Sequence, residues 1–235
     1  MIGETVKKWC NENELFISDH QAEQFENYAA LLQEWNQKMN LTAIVEPQEI
    51  AVKHFIDSLS VLKYISINDS AKIIDIGTGA GFPGIPLLIM HPSIRLTLLD
   101  SLNKRLLFLK EVCSTLDLTA ELVHGRAEEY SRRPEYREQY DLAISRAVAN
   151  LPSLCEYCIP YVKQGGTFCS MKGSGGETEL KSAENAIRIL GGKVESVNPF
   201  VLPDQSERTI IVIQKLKSTP EKYPRRGTKI NKNPL

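Results

Sequence analysis

The stretch "IIDIGTGAGFPGIP", Ile73–Pro86, decides how the rest of the chain is read. A short apolar run carrying Asp75 is followed at once by Gly77, Gly79, Gly81 and Gly84. The run has the make-up of a buried strand. Glycines bunched directly behind it let the backbone turn sharply and come close to whatever lies above the strand end. Phe82 and Pro83 then open a helix, where proline's missing N–H is lost at little cost.

Read literally, Gly79–Gly84 is a G-x-G-x-x-G, and Asp100 lies 19 residues beyond Gly81, which is the spacing of a dinucleotide-binding fold. Asp75 separates the candidates. A dinucleotide places its pyrophosphate at this turn, where a carboxylate repels it; S-adenosylmethionine has no phosphate there and carries a sulfonium and an ammonium group. The pattern therefore favours the methyl donor, with Gly77, Gly79 and Gly81 as its cradle and Asp75 toward its positive end. Asp100, at the end of the next strand, is placed to accept hydrogen bonds from ribose hydroxyls.

Outward from this stretch, "KIIDIG", "IRLTLLD", "AELVH", "DLAIS" and "GTFCSMK" read as strands, most of them followed by helical periods. That alternation predicts an α/β fold with a mostly parallel sheet covered on both faces. "KVESVNPFVLP" and "ERTIIVIQK" have no helix between them and predict a closing antiparallel pair, and Gly191–Gly192 should stop the helix over 177–190. Before the sheet, Ser18 and Gln21 form a capping box, and Phe25, Tyr28, Leu31, Leu32 and Trp35 share one face of a helix over 19–37. Pro47 opens a second amphipathic stretch ending near Tyr64. The chain is thus divided into a helical extension over 1–66, an α/β domain over 67–214 and a tail over 215–235.

The 235 residues, 42% apolar and 24% charged, suit a soluble globular protein. No apolar run reaches 18 residues and no signal peptide opens the chain, so a cytoplasmic protein that does not engage membranes is expected. Five scattered cysteines make no disulfide framework. Cys155-Glu-Tyr-Cys158 is a lone C-x-x-C without partners at ligand spacing, so no metal site is expected and the two cysteines read as small apolar helix residues. The net charge of −1 hides a tail of seven basic residues against Glu221. With three prolines and few apolar residues, that tail reads as an extended arm: a solubilising terminus, or a phosphate-binding segment that orders on RNA.

"DIGTGAGFPGIPL", "LLDSLNKRLLFL", "HGRAEEY", "ISRAV" and "MKG" resemble the bacterial small-subunit ribosomal RNA guanine-N7 methyltransferases once called glucose-inhibited division protein B. The similarity runs from Glu34 through the basic tail. It implies a class I S-adenosylmethionine-dependent methyltransferase fold, Rossmann-like, with seven strands and a helical N-terminal extension. It also implies methyl transfer to N7 of one guanine, position 527 by rRNA convention, in the decoding-centre loop of 16S rRNA, with S-adenosylhomocysteine as product. Carried over motif by motif, the family's donor-binding positions fall on Gly77, Phe82, Ala127, Glu128 and Arg146. The implied partner is 16S rRNA or the small ribosomal subunit, with no obligate protein partner evident. The alternatives are a methyltransferase of a small molecule and a non-catalytic nucleotide-binding ribosome-assembly factor.

Guanine N7 presents an exposed lone pair and needs no deprotonation before it attacks a methyl group. Consistent with this, the fourth strand ends in Ser145-Arg146-Ala147, with no Asp-Pro-Pro or Asn-Pro-Pro and no cysteine nucleophile. Arg146 is the first candidate for a catalytic side chain, orienting guanine O6, a flanking phosphate or the donor's carboxylate. Lys172 precedes the "GSGG" of 173–176, a lid or a loose turn. His54 and Asp57 share a helix face near Lys53, as catalytic groups or as a satisfied structural pair. Arg126, Lys172, Arg208, Arg225 and Arg226 are candidate RNA-phosphate contacts, although Arg126 and Arg208 can equally be ion-pair partners. Arg132 and Arg133, among glutamates, read as a solvent-facing charge run.

Overall fold

The computed structural model describes residues 1–235. Two helices open the chain, α1 (Ile2–Glu12) and α2 (Asp19–Met39). Helix α1 was not anticipated, although Ile2, Val6 and Cys10 recur at a spacing of four and are all buried. The capping box of α2 forms as read: the Gln21 N–H donates to Ser18 Oγ at 3.2 Å and the Ser18 N–H to Gln21 Oε1 at 2.9 Å. The stretch after Pro47 is helical to Lys63 but irregular. It passes through α3 (Pro47–Glu49), a π-helical segment (Ile50–Ile56), α4 (Asp57–Leu59) and a 3₁₀ turn (Ser60–Lys63). π-Helical turns widen the backbone ladder and concentrate at functional sites.

The remaining elements alternate: β1 (Lys72–Ile76), α5 (Gly84–Met90), β2 (Arg95–Asp100), α6 (Asn103–Thr115), β3 (Ala120–His124), α7 (Ala127–Tyr130), β4 (Tyr140–Arg146), α8 (Leu151–Cys158), β5 (Val162–Lys172), α9 (Gly176–Ile189), β6 (Gly192–Val201), β7 (Glu207–Lys215) and α10 (Gly227–Lys232). The seven strands form one sheet in the order β3-β2-β1-β4-β5-β7-β6. Strands β1 to β5 are parallel; β7 runs antiparallel between β5 and the outermost strand β6. The strand order reverses between β1 and β4, and ligands of open α/β sheets bind above the strand ends at such a point.

Strand periodicity builds two cores, because successive side chains point to opposite faces. Ile73 joins α5, α6 and the N-terminal helices, whereas Ile74 and Ile76 join α8, α9 and the tail. The extension therefore shares a core with the α/β domain: Tyr28 lies 5.3 Å from Phe55 and 5.4 Å from Phe82, ring centre to ring centre. Cys155 and Cys158 are buried in the second core as small apolar residues.

The tail departs from its reading as an extended arm. Tyr223 and Ile230 are buried in the second core, and α10 closes the chain. Arg225 forks onto Glu156, which is fully buried, with Nη2–Oε2 at 2.6 Å and Nε–Oε1 at 2.9 Å. Arg132, from the supposed charge run, and Arg137 donate to tail carbonyls at Pro224, Tyr223 and Thr219. Composition predicted disorder because the tail has no core of its own; it docks because the body supplies one.

Candidate active site

The glycine loop hangs from β2, with the Gly77 and Thr78 N–H groups donating to Leu99 O at 2.9 and 3.1 Å. Gly77, at φ +69°, adopts a backbone shape that side chains disfavour, and a Cβ there would stand 2.5 Å from Val148. Above Gly79 the space is open: a Cβ would meet nothing nearer than Gly77 O at 4.0 Å.

Asp75 is fully buried at the loop's root. Its Oδ2 accepts from Thr78 Oγ1 at 2.7 Å and from the Gly84 N–H at 2.9 Å, so one carboxylate ties both ends of the loop together. Oδ1 has no partner within the chain. Burial pushes the carboxyl up to about 6, against the pull of those two donors. Asp100 is also occupied: Oδ2 accepts from the Gly79 N–H at 2.9 Å and from Arg105 at 3.1 Å, and Oδ1 from the Leu102 N–H at 2.9 Å. Glu128 is 8% exposed on α7, beside Ala127, and has neither hydrogen bond nor ion pair within the chain. An open cradle over Gly79, an unpartnered buried Asp75 oxygen and a Glu128 carboxylate that opens onto a cavity suit a ligand carrying amino and ammonium donors, as S-adenosylmethionine does.

Arg146 ends β4 next to this loop. Its Nη1 donates to Asp57 Oδ2 at 2.9 Å and to the Lys53 carbonyl at 3.0 Å, on the π-helical segment. Its Nη2 lies 3.3 Å from His54 Nδ1. Arginine can only donate, so Nδ1 is the acceptor nitrogen of His54; Nε2–H then donates to Thr42 Oγ1 at 2.9 Å. Both ring nitrogens are occupied, and the imidazole stacks on Phe82 at 4.4 Å with planes 7° apart. His54 is thus held in one tautomer with both ring nitrogens occupied. Arg146 keeps Nε–H and one Nη2 hydrogen free for a ligand.

Burial and the Arg146 charge push His54 down to about 3. The unfolded chain takes up a proton near pH 6.5 that the folded protein refuses, so this contribution to stability is full above pH 6.5 and is lost as pH falls toward 3. Asp75, raised above its ordinary value, acts in the opposite sense, and a comparison of variants removes its effect. Between pH 6 and 4 the unfolding free energy of the wild type should fall more steeply than that of His54→Gln, by up to about 1.4 kcal/mol per pH unit. Urea titrations across that range check this; equal slopes would refute it.

Asp57 takes a second cation on its other oxygen, Arg208 Nε at 3.1 Å. Lys172 does not reach out as a free cation: it is 8% exposed, pairs with Glu179 at 2.8 Å and donates to the Ala149 carbonyl at 2.6 Å. Glu179 also accepts from the Leu151 N–H at 2.6 Å. These contacts pin the loop over 147–150, where Ala147 has φ +56° and Val148 lies across Gly77. The sequence "GSGG" is a turn leading into α9. Together Arg146, Asp57, Arg208, Lys172 and Val148 line a cavity of about 610 Å³ beside the glycine loop, between the extension and the strand ends. The RNA-contact candidates divide as well. Arg225 is taken by Glu156, whereas Arg126 and Arg226 have no acidic partner and flank a second cavity of about 830 Å³, lined by no hydrophobic residue, that Glu128 also lines.

A family model described as rRNA small subunit methyltransferase G matches residues 21–210. Ribosomal RNA small subunit methyltransferase G of Alkaliphilus metalliredigens is 49% identical over 232 residues, covering 98% of this chain and 97% of that one. Among solved structures, TrmN from Thermus thermophilus is similar with a TM-score of 0.54 at 15% identity, over 68% of this chain and 48% of that chain. M. jannaschii TYW2, solved in complex with AdoMet, is similar with a TM-score of 0.51 at 15% identity, over 69% and 76% of the two chains. The structural likenesses establish the fold, a class I methyltransferase sheet with added N-terminal helices. The sequence likeness extends over nearly the whole length of both chains: the chain belongs to the rRNA small subunit methyltransferase G family.

Proposed function

We propose that the protein transfers the methyl group of S-adenosylmethionine to N7 of a guanine, position 527 by convention, in the decoding-centre loop of 16S rRNA. The observation that carries the choice of atom is the state of the acids and bases around the 610 Å³ cavity. Both Asp57 oxygens are held by arginines, Glu179 by Lys172 and a backbone N–H, and both His54 nitrogens by Arg146 and Thr42. A nucleophile that must lose a proton finds no unpaired carboxylate and no free imidazole nitrogen among them. Guanine N7 attacks with its own lone pair; the S–CH₃ bond breaks toward sulfur, and the positive charge passes from sulfonium to the methylated base. Catalysis then rests on placement, a term worth roughly 7–11 kcal/mol in well-oriented systems.

In this reading Gly77, Gly79, Phe82, Ala127 and Glu128 hold the donor, Asp75 faces its ammonium end, and Arg146 uses its free N–H groups on guanine O6 or on the donor's carboxylate. The base leaves its stack to enter the cavity. Arg208, Arg126 and Arg226 serve the flanking phosphates. The protein works in the cytoplasm, where ribosomal subunits are assembled; no helix is long and apolar enough to cross a membrane.

The deciding measurement is transfer of labelled methyl to small subunits lacking the modification, followed by borohydride and aniline cleavage at N7-methylguanine. A single cut in the decoding-centre loop is expected. Label elsewhere would move the target; no label in any RNA, with the donor still bound, would favour a small-molecule substrate or a silent binding role.

A further inference from the structure

We infer that the docked tail is a wall of the donor site: Gly227 seats the carboxylate of Glu128, and the donor's affinity depends on that seat. This rests on the reading of Glu128 as a donor-binding residue. The tail around helix α10 is held on α8 by three contacts. None of the three touches Glu128: the Arg225 fork on Glu156 just before α10, which borders the same cavity, the Tyr157 hydroxyl donating to Asn231 Oδ1 at 2.9 Å, and Ile230 in the second core. Those contacts bring Gly227 so close to Glu128 that a Cβ at 227 would overlap Oε1.

The backbone of Gly227 is not in the left-handed region, so its lack of a side chain answers to space alone. What an added methyl would displace is the far end of a flexible side chain, which can swing aside. The predicted damage is therefore to where the carboxylate points and only slightly to the fold. Glu128 is the donor-site candidate whose carboxylate has no partner within the chain, and the backbone of Gly227 bounds one side of the space that carboxylate occupies. Gly227 is thus a positioning residue that acts through Glu128.

The test is a binding cycle with S-adenosylhomocysteine on the full-length chain. Wild type, Gly227→Ala, Glu128→Ala and the double variant are titrated calorimetrically, with unfolding of each followed without ligand. Loss or misplacement of a charged hydrogen bond predicts about tenfold weaker binding for each single variant. The double variant should bind no more weakly than Glu128→Ala, because the two changes remove one interaction. Asn231→Ala, which loosens α10 without placing an atom against Glu128, should weaken binding in the same Glu128-dependent way even if Gly227→Ala folds poorly. Losses that multiply in the double variant, or wild-type affinity in Gly227→Ala and Asn231→Ala, overturn the inference. Wild-type affinity in Glu128→Ala instead overturns the reading of Glu128 beneath it.

Discussion

Arg146→Lys should lower the single-turnover rate of methyl transfer by about 10²-fold or more, with donor and rRNA both saturating and the fold intact. Arg146 reaches Asp57, a carbonyl of the π-helical segment and His54 Nδ1 together, and still has two N–H groups to offer. Lysine keeps the charge beside Asp57 but has one nitrogen and no planar fork, so it cannot hold those three partners and a ligand at once. A misplacement of about 1 Å in a site that works by alignment costs on the order of 10²-fold. The lysine variant is preferred to Arg146→Ala because removing the cation breaks a buried ion pair, which costs about 3–5 kcal/mol and confuses activity with folding. Rapid-quench transfer with labelled donor measures the rate. An unchanged rate would remove Arg146 from the machinery; a weakened donor affinity at unchanged rate would assign it to the donor's carboxylate alone.

What the sequence made legible was what repeats locally. The apolar runs at Ile73–Ile76, Leu96–Leu99 and Leu142–Ile144 show strands because burial on both faces leaves no polar side, and all seven expected strands are present. The capping box at Ser18 and the stop at Gly191 are likewise local signals. The glycine loop, Asp75 and Arg146 could be located because the strand-to-helix junctions could be.

What stayed illegible was pairing at long separation. Nothing near Asp57 shows that residues 89 and 151 positions away hold its two oxygens. Lys172 looked like a free cation because Glu179 folds back on it only once α9 turns at Gly176. Nothing in the sequence around His54 shows that Phe82 and Arg146 close around its ring. Arg132 looked solvated because its partners are backbone carbonyls of the tail, and a carbonyl leaves no mark in a sequence. The same blindness made the tail look like an unstructured arm.

The docked tail leads to the largest expected stability effect. Arg225→Ala should lower the unfolding free energy by about 3–5 kcal/mol, because it strands a charge at Glu156, which has no solvent exposure. For a chain of this size that corresponds to a drop in Tm of roughly 10 °C. The cost belongs to the orphaned carboxylate more than to the lost attraction, and one comparison separates the two. Glu156→Gln with Arg225→Met removes both charges and keeps most of the volume, so it should recover most of the loss, whereas Glu156→Gln alone should not rescue the packing of the tail. Thermal and urea unfolding of the three variants measure this. A recovery no better than Arg225→Ala would mean that the fork holds the tail through its geometry, the Nε and Nη2 N–H groups on one carboxylate, and that charge neutralisation is secondary. Truncation after residue 216 removes Arg225, Tyr223 and Ile230 together and should destabilise at least as much. Loss of methylation in such a truncation therefore says nothing about RNA contact until the body is shown to be folded. Arg226→Ala, whose guanidinium lines the polar cavity without an acidic partner, is the variant that probes RNA affinity and its salt dependence with the tail still seated.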